Sequence, residues 1–108
     1  MLSLKTGVDV GGIQPEVLLG LEICHGVFTR LGMPLVVTAC LDGKHMTGSK
    51  HYVGQAVDMR LPSKYSIEPL IDVMVQAECR VHLGLQYDLV LEKDHLHLEY
   101  DPKKDIVL

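Results

Sequence analysis

Residues 85–101 read LQYDLVLEKDHLHLEYD, and this stretch decides the fold. Apolar and polar side chains alternate on both sides of Lys93-Asp94, a pattern that is typical of a β-hairpin with a two-residue turn. Successive side chains of a strand point to opposite faces of the sheet. The second strand therefore places His95, His97 and Glu99 on one face and Leu96, Leu98 and Tyr100 on the other.

The register of this hairpin brings a carboxylate next to the histidines. If Lys93-Asp94 form the turn, Glu92 lies opposite His95 and Val90 lies opposite His97. The side chains of each such pair are on the same face, with their Cβ atoms about 4.5–5.5 Å apart. The sequence thus predicts that Glu92 shares the face of the two histidines.

Upstream of the hairpin, the hydrophobic pattern predicts two helices and two further strands. A helix with apolar residues at spacings of three and four is expected over Gln14–Leu31, and a second over Ser66–His82. Strands are expected at Leu35–Ala39 and Gln55–Leu61, whereas residues 1–13 are expected to form an N-terminal segment without regular structure. This order predicts an α+β fold, with a mainly antiparallel sheet and two principal helices packed on it.

Each predicted helix has an apolar stripe that should face the core. In the first helix the stripe consists of Val17, Leu21, Cys24, Phe28 and Leu31. In the second it consists of Ile67, Leu70, Ile71, Met74 and Val81, with Ser66 as the expected N-cap. Because the chain has 108 residues, we expect one domain over residues 1–108 with a single site.

Composition excludes several classes of partner. The formal net charge is −4, so there is no surplus of cations to neutralise phosphates, and we expect no nucleic-acid partner. No apolar run approaches the ~20 residues that a membrane span requires, and the N-terminus has no signal-peptide pattern. The three cysteines lack C-x-x-C spacing and are expected to be reduced thiols. We expect a protein that is made in a cytosol and that is a monomer.

A second group of ionisable residues precedes the hairpin. Asp58 lies between apolar neighbours in a predicted strand, so it needs a partner such as a metal or a base. His51 lies on the other side of Gly54, where a tight turn could bring it back toward Asp58. An aspartate, two histidines and a nearby glutamate meet the requirements of a catalytic zinc site, which uses three N/O ligands and a carboxylate base.

The residues of this group resemble a known pattern. Ser49-Lys50-His51-Tyr52-Val53-Gly54-Gln55-Ala56-Val57-Asp58 is similar to S-x-H-x-x-G-x-A-x-D. That signature belongs to the zinc D-Ala-D-Ala carboxypeptidases, the vancomycin-resistance dipeptidases, the phage L-Ala-D-Glu endolysin peptidases and the Hedgehog signalling domain. The downstream His95-x-His97 resembles the H-x-H element of several members. The resemblance runs from about Val36 to Tyr100 and implies a Hedgehog/DD-peptidase-like fold.

The resemblance also implies roles for the site residues. It implies a single zinc ion held by His51, Asp58 and His97, with His95 beside it. Two carboxylates compete for the role of general base. Glu92 has the hairpin geometry in its favour, and we favour it. Asp94 has the D-x-x-H spacing to His97 of some endolysins. If His95 were the ligand instead, Glu92 would have the E-x-x-H spacing of the dipeptidases.

The chain departs from the family pattern at the substrate side. Gln55 follows the motif glycine where an arginine is common, and no S-G-Y-R-like stretch supplies a cation for a substrate's terminal carboxylate. Arg60, on the predicted face of Asp58, could supply it, as could Lys44 or Lys50. Ser49, which would position the motif loop, and Arg60 are therefore the predicted substrate-binding residues.

The expected function is hydrolysis of a peptide bond in peptidoglycan stem peptides, of the D-Ala-D-Ala carboxypeptidase or the L-Ala-D-Glu endopeptidase type. The alternative is a zinc-stabilised binding module of the same fold that does not catalyse hydrolysis. Small size without a signal peptide resembles phage or prophage lysis proteins. Such proteins are synthesised in the bacterial cytoplasm and act on the cell wall after release.

Overall fold

A computed structural model describes residues 1–41 and 54–102 of the chain. Along the chain the elements are β1 (Leu2–Leu4), α1 (Pro15–Arg30), β2 (Leu35–Ala39), β3 (Ala56–Arg60), α2 (Ile71–Leu83), β4 (Tyr87–Leu91) and β5 (His95–Tyr100). A short 3-10 turn, Pro62–Lys64, follows β3. The expected α+β fold is confirmed.

The five strands form one mixed sheet in the order β1-β2-β3-β5-β4. The pairings β2–β3, β3–β5 and β4–β5 are antiparallel, whereas β1 runs parallel to β2, with Leu2 opposite Leu35. The expectation of a mainly antiparallel sheet is corrected at this edge. The expectation that residues 1–13 lack regular structure is also wrong at Leu2–Leu4. Strand β1 has only three residues, too few to show an alternating pattern, and its pairing with β2 joins segments distant in sequence.

The hairpin has the predicted register. Val90 pairs with His97 and Leu91 with Leu96, and the Glu92 N–H donates a hydrogen bond of 2.9 Å to the His95 carbonyl oxygen. Since the alternation of the two strands is local, the turn position alone determines which side chains share a face. The face toward the helices carries buried side chains, namely Val57, Met59, Leu89, Leu96 and Leu98.

Helix α1 packs with its predicted stripe against this buried face. Pro15 occupies the first turn, and Val17, Cys24 and Phe28 are fully buried. Leu31 is the exception, because it caps the C-terminus of the helix and is half exposed. The four buried members of the stripe join the core cluster of the domain.

Helix α2 differs from its prediction in both its start and its buried face. It begins at Ile71, with Leu70 rather than Ser66 at the N-cap, and it ends at Leu83. Ile67, Leu70, Met74 and Val81 of the predicted stripe are exposed, whereas Val75, Cys79 and Leu83 are buried. Ile71 packs partly buried against the core. The helix has apolar residues on more than one face. Its packing against α1 and β4 buries the face that carries Val75, Cys79 and Leu83, which are spaced four residues apart.

Candidate metal centre

The pairing of β3 with β5 brings three predicted site residues together. Asp58 is the direct partner of His97, and Arg60 is the direct partner of His95. These side chains lie on the outer face of the sheet, which we define as the face opposite to the helices. Asp58, His95 and His97 each offer one donor atom, and these atoms lie within 4.8 Å of one another. Two strands that are distant in sequence thus build a three-residue cluster.

Asp58 is the common partner in this cluster. Its Oδ1 atom lies 2.9 Å from Nδ1 of His97 and 3.5 Å from Nε2 of His95. The side chains are partly buried, with exposed fractions of 14% for Asp58, 19% for His97 and 29% for His95. The cluster is therefore partly shielded from water, which strengthens electrostatic interactions within it.

The second ring nitrogen of each histidine has a carboxylate partner of its own. Nδ1 of His95 lies 2.6 Å from Oδ1 of Asp94, and Nε2 of His97 lies 3.0 Å from Oε1 of Glu99. Each ring thus directs one nitrogen toward Asp58 and the other toward a separate carboxylate. This arrangement is the one in which metal-binding histidines are usually held.

The charges around the rings shift two pKa values. The hydrogen bond to Asp58 raises the pKa of His97, and the hydrogen bond to Glu99 adds to this effect, against the opposing effect of burial. The hydrogen bond to His95 lowers the pKa of the Asp94 carboxyl. His97 thus lies between two carboxylates, which stabilise positive charge at this position.

The chemistry of the donors fits zinc. Two imidazole nitrogens and one carboxylate oxygen form the type of N/O ligand set that catalytic zinc sites use. The predicted ligand His51 and the predicted substrate residue Ser49 lie outside the described residues, as do Lys44 and Lys50. Of the predicted ligands, the structure therefore brings Asp58 and His97 together, and it places His95 beside them.

The remaining predicted residues of the described chain lie on β3 or at the hairpin turn. Glu92 lies where the turn begins, with an exposed side chain, and its backbone is hydrogen bonded to His95. Asp94 is exposed at the turn and contacts His95. The guanidinium of Arg60 donates a hydrogen bond of 3.2 Å to the hydroxyl of Tyr65. Asp94 thus directly precedes His95, whereas Glu92 is joined to His95 by a backbone hydrogen bond across the turn.

Glu99 is the site residue to which the sequence assigned no role. The alternation of the hairpin placed it on the histidine face, but period two alone cannot show that its carboxylate reaches a ring nitrogen. That contact depends on the rotamers of both side chains, which the surrounding strands determine. Glu99 also belongs to a group of three acidic side chains with Asp88 and Asp101.

Comparison of the chain with protein-family models, with curated proteins and with solved structures gives no match. Among the residues that the structure describes, no helix combines the length and the apolar character needed to cross a membrane.

Proposed function

We propose that this chain is a zinc-dependent peptidase that hydrolyses a peptide bond in peptidoglycan stem peptides. The observation that carries the proposal is the convergence of Asp58, His95 and His97, whose donor atoms lie within 4.8 Å of one another. These are residues that two separate sequence motifs single out, and the β3–β5 pairing joins those motifs. The substrate class rests on the resemblance of the motifs to cell-wall peptidases.

In this proposal His51, Asp58 and His97 hold the zinc ion, and His95 lies beside it. When bound, zinc supplies a Lewis acid for the scissile carbonyl and makes a water molecule acidic enough to lose its proton near neutral pH. Asp58 and His97 are in direct contact at 2.9 Å, so little movement is needed for both to face one ion. His95, with Nε2 directed toward Asp58, orients the substrate or stabilises its developing oxyanion.

Glu92 is the proposed general base, which takes the proton of the attacking water and returns it to the leaving amine. Asp94 is the weaker candidate. Its carboxylate already accepts a hydrogen bond from His95, and its lowered pKa makes it a poorer proton acceptor. The backbone N–H of Glu92 donates a hydrogen bond to the carbonyl oxygen of His95, which keeps the Glu92 backbone beside the cluster.

Arg60 is the proposed group for a substrate carboxylate. It is the direct strand partner of His95, so its backbone lies next to the cluster. The hydroxyl of Tyr65 accepts a hydrogen bond from one N–H group of Arg60, and the guanidinium has further N–H donors for a bidentate contact with a carboxylate. Ser49 is proposed to position the motif loop on the substrate side. We propose that the protein acts on the wall after its release from the bacterial cytoplasm.

The proposal is tested by the zinc content of the purified protein, together with mass spectrometry of products released from peptidoglycan. We expect a single zinc ion per chain and one class of cleaved stem peptide. The variants His51→Ala and Asp58→Ala should lose both zinc and turnover, because each removes a ligand. Zinc uptake without products would instead support the non-catalytic binding module.

The assignment of the base needs a separate variant. Glu92→Gln should retain zinc and lose turnover, since the amide cannot accept the proton. Glu22→Gln, on α1, is a matched control because it makes the same change far from the cluster along the chain, on an exposed side chain. It should have wild-type activity. Full turnover in Glu92→Gln would overturn Glu92 as the base.

A further inference from the structure

His97 has a carboxylate at each of its two ring nitrogens. Nδ1 lies 2.9 Å from Oδ1 of Asp58, and Nε2 lies 3.0 Å from Oε1 of Glu99. The two nitrogens point to different sides of the ring, so the two carboxylates occupy different positions. Asp58 belongs to the three-residue donor cluster with His95, whereas Glu99 does not. Glu99 therefore contacts the side of His97 that faces away from His95.

Nδ1 is the nitrogen of His97 that faces the donor cluster, because its partner Asp58 belongs to that cluster. A neutral imidazole has one N–H donor and one nitrogen with a free lone pair, and a metal requires the lone pair. Without a metal, either carboxylate can accept a hydrogen bond from the ring; a metal held by Asp58 would take the place of a proton on Nδ1, and Glu99 would then accept the Nε2–H. The lone pair is then on Nδ1, the nitrogen that faces Asp58.

We propose that Glu99 is a positioning residue for the zinc site. It accepts the Nε2–H of His97 and thereby orients the ring so that Nδ1 faces the metal. The inference rests on the proposed zinc site and deepens it. It adds a residue that acts through His97 and does not itself touch zinc or substrate.

The surroundings of Glu99 suit this role better than those of Asp94 beside His95. Glu99 lies within β5 and is paired on both sides, with Ala56 of β3 and Asp88 of β4. Its side chain is 21% exposed, whereas that of Asp94 is 85% exposed in the turn. A hydrogen bond on a central strand that is partly shielded from water constrains a ring more than one at an exposed turn.

Zinc affinity is the first measurement, by competition with a chelator at one fixed pH. Glu99→Ala removes the acceptor and should weaken zinc binding by about 10–100-fold. Glu99→Gln retains an oxygen that accepts the Nε2–H, so it should recover part of that loss. Circular dichroism of each variant verifies that the fold is intact.

Asp88→Ala is the matched control. Asp88 is the strand partner of Glu99, and it belongs to the same acidic group on the outer face. The control therefore removes an equal charge from nearly the same place. We expect Asp88→Ala to bind zinc within about threefold of the wild-type protein, because its effect is limited to the partly screened charge that it removes. An equal loss in Asp88→Ala and Glu99→Ala would reduce the effect to net charge and overturn the inference.

The second measurement is the tautomer of His97, from the nitrogen-15 resonances of its ring in the zinc-loaded protein. The wild-type protein should have a protonated Nε2 whose hydrogen exchanges slowly with water, and a metal-bound Nδ1. In Glu99→Ala the Nε2 hydrogen should exchange faster, which a purely structural role for Glu99 elsewhere would not cause. A metal-bound Nε2 in the wild-type protein would overturn the inference.

These outcomes separate the inference from the proposed function. If Glu99→Ala weakens zinc binding but no variant releases peptide products, the peptidase proposal fails and the role of Glu99 stands. If the wild-type protein cleaves stem peptides and Glu99→Ala binds zinc as tightly, the role of Glu99 fails and the peptidase proposal stands. Absence of zinc uptake by the wild-type protein would overturn both.

Discussion

At the scale of single residues, the properties of the cluster come from direct neighbours. Asp58 alone would be a costly charge in a strand whose other face is buried, but it contacts ring nitrogens of two histidines. His97 in turn lies between Asp58 and Glu99, which raises its pKa. The same contacts that compensate the charges in the metal-free protein leave donor atoms facing one another.

Zinc binding should therefore depend on pH through His97. A proton must leave Nδ1 before that nitrogen can bind the metal, and the hydrogen bonds to Asp58 and Glu99 raise the pKa of His97, so this competition reaches to higher pH than at an ordinary histidine. Below the raised pKa, we expect zinc affinity to fall by about tenfold per pH unit for the one proton displaced. Chelator competition over a series of pH values measures this, and an affinity that is the same at every pH of the series would contradict it.

Gly54 occupies a position that only glycine can fill without strain. Its φ angle is +72°, and a methyl group on its Cα would overlap the carbonyl oxygen of Gly12. Its own carbonyl oxygen accepts a hydrogen bond of 2.9 Å from the Gln14 N–H. The motif glycine thus holds the chain before β3 against the segment that leads into α1.

We expect Gly54→Ala to be strongly destabilising in urea unfolding. The left-handed backbone alone costs an alanine about 1–2 kcal/mol, and the overlap with Gly12 adds to this cost. Gly32→Ala is the matched control, because Gly32 has a φ angle of +74° with no atom near the added methyl group. It should lose only the backbone contribution. Equal losses in the two variants would show that the contact with Gly12 is unimportant.

At the scale of elements, α2 shows how packing selects between apolar faces. Val75 is fully buried toward α1 and the sheet, whereas Met74, the next residue back, is about half exposed. Both residues are apolar, and only the docking of the helix distinguishes them. Of the exposed apolar residues, Ile67 and Leu70 precede the helix, whereas Met74 and Val81 lie within it.

Two alanine variants of α2 test this choice of face. Val75→Ala should lower the free energy of unfolding by about 2 kcal/mol, from the buried methyl groups removed and the cavity left behind. Met74→Ala should change it by less than about 0.5 kcal/mol, as is usual at the surface. Urea unfolding measures both. A larger loss for Met74→Ala would favour the stripe that the sequence predicted.

At the scale of the whole molecule, the sheet lies between the hydrophobic core and the candidate metal site. The helices and the core cluster lie on one side of it, and none of Asp58, His95 and His97 belongs to that core. The three residues lie instead on the central strands β3 and β5. The domain can therefore hold a polar cluster without opening its hydrophobic core, and the core can form without the cluster.

Metal removal should consequently leave the protein folded but less stable. We expect the chelator-treated protein to retain its far-UV circular dichroism at 25 °C, because the core is independent of the site. Zinc at about 100 times its Kd should add about 2.7 kcal/mol, and the Tm should rise by roughly 10 °C or more. A chelated protein that unfolds at 25 °C would show that the metal is required for the fold.

Much of the architecture could be predicted because its signals are local. The hairpin follows from alternation around a two-residue turn, and α1 follows from a stripe bounded by Pro15 and Gly32. The face that carries Asp58, like the face that carries His95 and His97, follows from period two. The sequence did not predict which element packs or pairs with each face, because periodicity describes one element and contains no information about its neighbours.

The sequence by itself determined the types of the main elements, the hairpin register and the donor residues of the candidate site. Only the tertiary structure decided that β1 pairs parallel to β2, that Val75 rather than Met74 faces the core, and that Glu99 contacts His97. It also decided that Asp58 meets His97, across 39 residues of chain. Backbone sterics act between near neighbours and can be read from sequence, whereas these contacts depend on how separate segments pack against one another.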